Sequence, residues 1–453
     1  MTTADESELV VGVDPAKELV ITDPRVIASP LETTFDPARP SGTHASGAWS
    51  FGRLVHNMLP AGERDSGAAA SRLVMDWLHT WETDQSPNPE VSAAKARASI
   101  RLMVTEPWKV ASGCDASPET DATCVLDLAK SPFRLIAIVN RPDLRRGGDD
   151  AIGGEGRFVF QIVGPTLGRD AATGAMRVMN ETVKPQKFTV IFEYSLPVSH
   201  RVETLVWAHR WHVLRVLPFG HGYNAMLRTI TNGFSGPDRD SRRPNGNALN
   251  QLRTNEVALM GARFPTTGFI ATKQFWELRE FHLTQTGLAP HTVNLEPSRD
   301  FDVFRTGHTG NEGTRTAELA AFLVDEAAAI TAEKHKLWPG MSGNSALIGS
   351  SPYGAWGNTF AGVDPAVRNA FALNTCAGCH RHETETRHFM HITTVAAMEP
   401  ADKTDDRARI GVTAETPEDA VVLSNLLAAD IAPGGKRHED YAKLLATRPS
   451  ELR

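Results

Sequence analysis

Between residues 131 and 197 the sequence carries three runs, FRLIAIVN, GRFVFQIV and KFTVIFEYSL, separated by clusters of Gly, Pro and Asp. They are short, apolar and rich in β-branched and aromatic residues, and they read as strands of one sheet. Helical patterns flank them. SRLVMDWLHTW places Leu73, Trp77 and Trp81 four residues apart on one amphipathic stripe, and AAKARASIRLMV is a second helix candidate. VETLVWAHRWHVLRVL, YNAMLRTITNGF and TRTAELAAFLVDEAAAI are further helices, the second ending at Gly233 as a C-cap. KQFWELREFHL is another strand candidate, with Phe275, Glu277, Arg279, Phe281 and Leu283 on one face and Trp276, Leu278, Glu280 and His282 on the other. Each of those faces mixes apolar and charged groups, so neither is a plain core face.

The expected class is therefore α+β, a mainly antiparallel sheet flanked by helices. Three parts are expected: an extended N-terminal segment (1–48), an α+β body (49–349) and a helical segment (350–453) entered through glycine-rich SSPYGAWGNTFAGVDP. In that last segment Asp364 is a good N-cap with Pro365 at the first helical position, and the helix runs toward Cys376. PEDAVVLSNLLAAD and HEDYAKLLATRP read as two more short helices.

A net charge of −7 gives no electrostatic reason to expect nucleic acid as a partner. No run approaches the roughly 18 apolar residues of a membrane-spanning helix. The acidic start MTTADESELVVGVDP is not a signal peptide as it stands, so an exported protein would have its leader absent from this chain. Cys114 and Cys124 bracket a polar, turn-rich loop and read as a local disulfide, which favours an extracytoplasmic, periplasmic or secreted, location. Two free thiols on a surface loop are the alternative.

The chemistry concentrates in FALNTCAGCHRHETETRHFMHI, residues 371–392. CAGCH is the C-x-x-C-H pattern of covalent haem c attachment. Cys376 and Cys379 would lie about one turn apart and reach the two vinyl groups, and His380 would ligate iron from the proximal side. His391, Met390 and Met398 are candidate distal ligands, with His388 and the remote His438 behind them; an open iron is also conceivable. Three other readings stand beside it. Cys376, Cys379, His388 and His391 could form a tetrahedral zinc site. The two cysteines could be a redox dithiol, although no thioredoxin-like pattern surrounds them. They could also be a structural disulfide among surface histidines.

DPAVRNAFALNTCAGCH resembles the first helix of class I cytochromes c, which implies a small cytochrome c-like character for the C-terminal segment. The usual distant distal Met of that family has no counterpart, since Met390 and Met398 both lie close to the motif. A longer resemblance rests on WSFGRLVHNM, WETDQ, SPFRLIAIVNRPDLR, GEGRFVF, FTVIFEYSLP, PNGNALNQLRTNEVAL, WELREFHL and LNTCAGCHRHETETRHFMHI, in that order. Together they resemble a family of uncharacterised secreted proteins and lipoproteins known mainly from myxobacteria. The resemblance implies export but no established activity. Its pattern after the motif, ET-x-T-x-F-x-HI, is matched by Glu383, Thr384, Thr386 and His391, which favours His391 over His388 as a second ligand.

Elsewhere, His209 and His212 stand at i, i+3 with His221 nearby, a spacing that can share a metal but more commonly marks surface histidines. Glu280 and His282 could be an acid–base pair or an internal hydrogen-bonded pair. Arg253 and Glu256 read as salt-bridge or loop-pinning groups, and GGDDAIGGEG (147–156) reads as a hairpin loop. The function expected from these features is a monohaem c-type protein in electron transfer or haem-based oxidation, with an electron-transfer partner or small-molecule substrate. A zinc- or other metal-binding structural protein is the alternative.

Overall fold

The computed structural model describes residues 12–85, 94, 96–146, 152–198, 201–260, 276–291, 314–332, 360–373, 378–382, 384, 386, 390–398, 413 and 415–447. Its centre is a seven-stranded antiparallel sheet in which each strand neighbours the next in sequence. The strands are β1 (Val20–Ile21), β2 (Phe133–Arg141), β3 (Ile152–Arg169), β4 (Met176–Pro197), β5 (Leu249–Glu256), β6 (Glu277–Leu283) and β7 (Leu288–His291). The principal helices are α1 (Phe51–Met58), α2 (Gly67–His79), α3 (Arg201–His212), α4 (His221–Ser235), α5 (Thr314–Asp325), α6 (Pro365–Ala372), α7 (Asn425–Ile431) and α8 (Lys436–Ala446). The class is α+β, as the alternation of strand runs and helical stripes predicts.

One face of the sheet is aromatic. Strand alternation brings Phe158, Phe160, Phe188, Phe192, Tyr194 and Phe281 to it, all buried. Helices α1 and α2 close over this face. Phe51 stacks on Phe133 at 4.2 Å between ring centroids, and Trp77 meets Trp81 edge-on at 5.4 Å. Trp81 in turn lies 5.4 Å from Phe281. The helices start where serine can cap them: Ser50 Oγ accepts from Arg53 N–H and Ser66 Oγ from Ala69 N–H. Each large side chain buried here contributes about 1.5–3 kcal/mol by removal from water.

Several local expectations change. Within residues 1–48, Leu19, Val20 and Ile21 are buried and β1 pairs with β2, Val20 opposite Val139. Asp14 and Asp23 cap the one-turn helices on either side, each with proline at the first position. That segment is thus sewn into the sheet rather than merely extended. Gly233 is not a C-cap, because α4 continues to Ser235 and Gly236 follows. Glycine is needed at 233 for space, since a Cβ there would meet the Trp207 ring at 2.7 Å. The ASIRLMV portion coils as a π-type turn over Arg101–Thr105 before a helix over Glu106–Ala111.

The C-terminal segment is not purely helical. Val421–Leu423 within PEDAVVLSNLLAAD is a strand, β9, that pairs with β8 (Ile392–Thr394), and only then does α7 begin. Leu427, Ile431, Tyr441, Leu444 and Leu445 of α7 and α8 join the main core. Asp364 caps α6 through Ala366 N–H at 2.8 Å, as its sequence predicts, but α6 stops at Ala372 short of the motif. Of the predicted 147–156 hairpin loop, residues 152–156 belong to β3 and 147–151 lie outside the described residues; Arg146 and Ile152 exchange both backbone hydrogen bonds at 3.0 Å.

Candidate metal centre

The second face of the sheet carries charge. Register places Val159, Ile191, Arg253, Glu280 and His291 directly opposite one another across β3 to β7. Arg157, Glu193 and Gln251 form the next row. Arg157 binds Glu155 at 2.6 Å and Glu193 at 3.1 Å, while Arg253 binds Glu280 at 2.8 Å. Burial by itself would lower both guanidinium pKa values, but the carboxylates around them hold both above the ordinary value. Glu193 is buried, and its ion pairs with Arg157 and Arg253 explain how it can be.

This face is the floor of a cavity of about 870 Å³. Cys379, His380, His391 and Leu427 line it from the C-terminal segment, and Arg141, Asp143 and Arg437 also border it. Asp143 takes three hydrogen bonds from Arg141, two from Nε at 2.9 and 3.1 Å and one from Nη2 at 2.7 Å. Burial, then the neighbouring Arg141 charge, pulls Arg437 down to about 10 against the opposing effect of Asp143 and Asp430. In the floor, Asn255 Oδ1 is buried and has no hydrogen-bond partner among the described residues.

On the C-terminal wall, the Cys379 thiol and the His380 and His391 rings bring ligand atoms to within 4.8 Å of one another. Cys379 Sγ lies 3.5 Å from His391 Nε2. The His391 ring is held from behind by Ser424, whose Oγ is 2.8 Å from Nδ1. Ser424 Oγ also accepts from Leu427 N–H as the N-cap of α7, and Ser424 N–H donates to the His391 carbonyl. With Ser424 Oγ accepting a hydrogen bond from Nδ1–H, Nε2 keeps its lone pair toward the sulfur, the tautomer a metal ligand needs. His380 stacks on buried Trp276 with centroids 4.2 Å apart, and its ring is 4.4 Å from that of His391. Burial pushes the Cys379 thiol up to about 11, with Arg141 working against it and Asp430 with it.

The donors fit one ion. A sulfur and a nitrogen on a tetrahedral zinc, with bonds of about 2.3 and 2.0–2.1 Å, stand about 3.5 Å apart. With His391 as the axial ligand they do not fit a haem c in this arrangement. A thioether sulfur sits at the porphyrin rim and an axial nitrogen sits over the iron, so the two cannot touch. Using His391 in that way would require Cys379 Sγ and His391 Nε2 to separate.

Cys376 and His388 lie outside the described residues, and His382 ends the short turn Gly378–His382. Met390 is buried with Val257, Trp276 and Leu278, its sulfur 3.8 Å from Thr189 Oγ1, and Met398 packs with Val395 and Val422. Neither methionine lines the cavity. His438 sits beside Glu439 on α8, at 3.3 Å. Cys114 and Cys124 form a disulfide with Cα atoms 5.8 Å apart. His212 bonds Glu18 at 2.7 Å. His209, His212 and His221 are in no metal-sized cluster among the described residues. Glu280 and His282 are paired at 2.9 Å, and Glu256 is buried against Arg97.

Sequence reading missed Trp276 as the platform for His380, Ser424 as the brace for His391, and the Arg157–Glu193 floor. The alternation in KFTVIFEYSL, which sets Glu193 between Phe192 and Tyr194, was the available signal for the floor. The other two depend on contacts made across the fold. Compared with family models, with curated proteins and with solved structures, the chain matches none.

Proposed function

We propose that Cys379, His380 and His391 hold a transition-metal ion, zinc being the ion their donors suit, and that the ion ties the Gly378–His382 turn to the start of β8 within the C-terminal segment, on the wall above the charged face of the sheet. The observation that carries this reading is the 3.5 Å approach of Cys379 Sγ to His391 Nε2, with a His380 nitrogen in the same cluster. Cys376, three residues before Cys379, has the C-x-x-C spacing of a fourth ligand. The bound cation would favour the thiolate, offsetting the burial that raises the Cys379 pKa. The ion would supply positive charge and fixed ligand directions on the cavity wall. Its neighbours would hold a small charged molecule between the Arg157–Glu193 floor and the metal.

A haem c is the second reading, carried by the C-x-x-C-H order and by the Asp364-capped helix ahead of it. It would use Cys376 and Cys379 as thioether anchors and His380 as the proximal ligand, and it would make the protein an electron carrier or a haem-based oxidant. The Cys114–Cys124 disulfide supports an oxidising, extracytoplasmic compartment under either reading. It is also in keeping with membership of the exported family that the sequence resembles.

Elemental analysis and a visible spectrum of the exported protein decide between the two. The expected result is a colourless protein with one equivalent of zinc in the cluster, lost in Cys379→Ser and His391→Ala. A Soret band that stays with the polypeptide through acid–acetone extraction overturns the zinc reading.

A further inference from the structure

A second group of donors lies on the same charged face, on strands at one side of the sheet. Alternation along β6 points Leu278, Glu280 and His282 to the cavity side, and register sets His291 of β7 opposite Glu280. Glu280 Oε1 is 2.9 Å from His282 Nε2 and 3.5 Å from His291 Nδ1. The two imidazoles stack nearly parallel, 7° apart with centroids at 3.9 Å, so both rings turn an edge to that one oxygen. The other carboxylate oxygen, Oε2, accepts from Arg253 Nε at 2.9 Å. Glu280 is thus divided: one oxygen is anchored by a guanidinium and the other faces two histidines.

We propose that Glu280, His282 and His291 form a second divalent-cation site, a two-histidine, one-carboxylate set with open coordination positions. All three ligand atoms lie within 4.8 Å of one another. Bonds of about 2.0–2.2 Å at angles near 90–110° reproduce the 2.9 and 3.5 Å oxygen–nitrogen separations without moving the strands. The rings, stacked in the empty site, must each rotate out of that stack to turn a nitrogen lone pair onto the ion, and their exposure leaves them free to do so. Arg253 is the positioning residue, fixing the carboxylate plane as outer-shell partners do for metal-bound carboxylates. Glu280 is buried, while the side chains of His282 and His291 are 39% and 46% exposed, so an ion can enter from solvent. Three protein ligands leave room for water or a substrate oxygen, the arrangement of catalytic rather than structural sites.

Calorimetric titration of the chelator-stripped protein with Zn²⁺ tests the site. In a Cys379→Ser, His391→Ala background, which silences the C-terminal cluster, one equivalent is expected to bind. His282→Ala and His291→Ala should each weaken it at least tenfold. Both histidines are partly exposed, so these variants should fold, and circular dichroism checks it. If the background itself does not fold, the comparison moves to the otherwise unaltered chain, where His282→Ala with His291→Ala should lower the stoichiometry by one. Unchanged stoichiometry and affinity in those variants, or no binding in a folded background, overturns the proposal. Because the two clusters share no ligand, either can fail without the other.

Discussion

Phe192 and Glu193 are neighbours in the chain, yet they stand on opposite faces of the sheet and are held there by different physics. Phe192 lies among Phe51, Phe160 and Tyr194, in contact with their rings. Glu193 is just as buried but survives there because Arg157 and Arg253 approach it from either side. The aromatic face keeps its stability if one apolar group is exchanged for another of equal volume. On the charged face the loss of one partner leaves buried charge less fully compensated. Packing gives the first face its shape, and paired charge gives the second a cavity that stays polar and open.

Phe192→Ala should show the largest loss, about 3–5 kcal/mol in denaturant unfolding, from lost transfer energy and the cavity left behind. Its metal stoichiometry should stay unchanged in the fraction that remains folded, because nothing on the opposite face is touched. Glu193→Leu should cost about 3 kcal/mol, since it strands Arg157 and Arg253 without a shared carboxylate. Adding Arg157→Met should recover part of that loss; no recovery would mean that the pair does not act as a unit. The smallest effect is expected in acid. Burial would raise the Asp143 pKa, but hydrogen bonds from Arg141 and the charges of Arg141, Arg437 and Arg157 hold it below its usual 3.8. Its contribution is therefore complete above about pH 4 and disappears as pH falls through 3.8 and then through the lower folded value. Melting temperatures of Asp143→Asn should fall less than those of the parent over that window, while Phe192→Ala should keep the parent's pH dependence.

The aromatic face was legible in the sequence because its signal is local. FRLIAIVN, GRFVFQIV and KFTVIFEYSL predict β2, β3 and β4, and the Leu73–Trp77–Trp81 stripe predicts the covering helix. The charged face was only half legible. KQFWELREFHL displays its mixed faces in the sequence, but the row from Arg253 to Glu280 to His291 appears only once the register of three strands is known. VVL within PEDAVVLSNLLAAD reads as helix because its partner strand, Ile392–Thr394, lies some distance back in the chain. The cysteine–histidine cluster stood out by composition. Its grouping of Cys379, His380 and His391 depends on Trp276 and Ser424, which no spacing rule connects to the motif.

Glu18, from the short helix before β1, bonds His212 of α3, and the His212 ring meets Tyr441 of α8 edge-on at 6.5 Å. Tyr441 also donates to the Ala208 carbonyl at 2.9 Å. Segments far apart in the chain thus close on one another at a single buried seam. The seam itself closes late, because residue 18 can pair with residue 212 early but has to wait for residue 441 before the ring contact is complete.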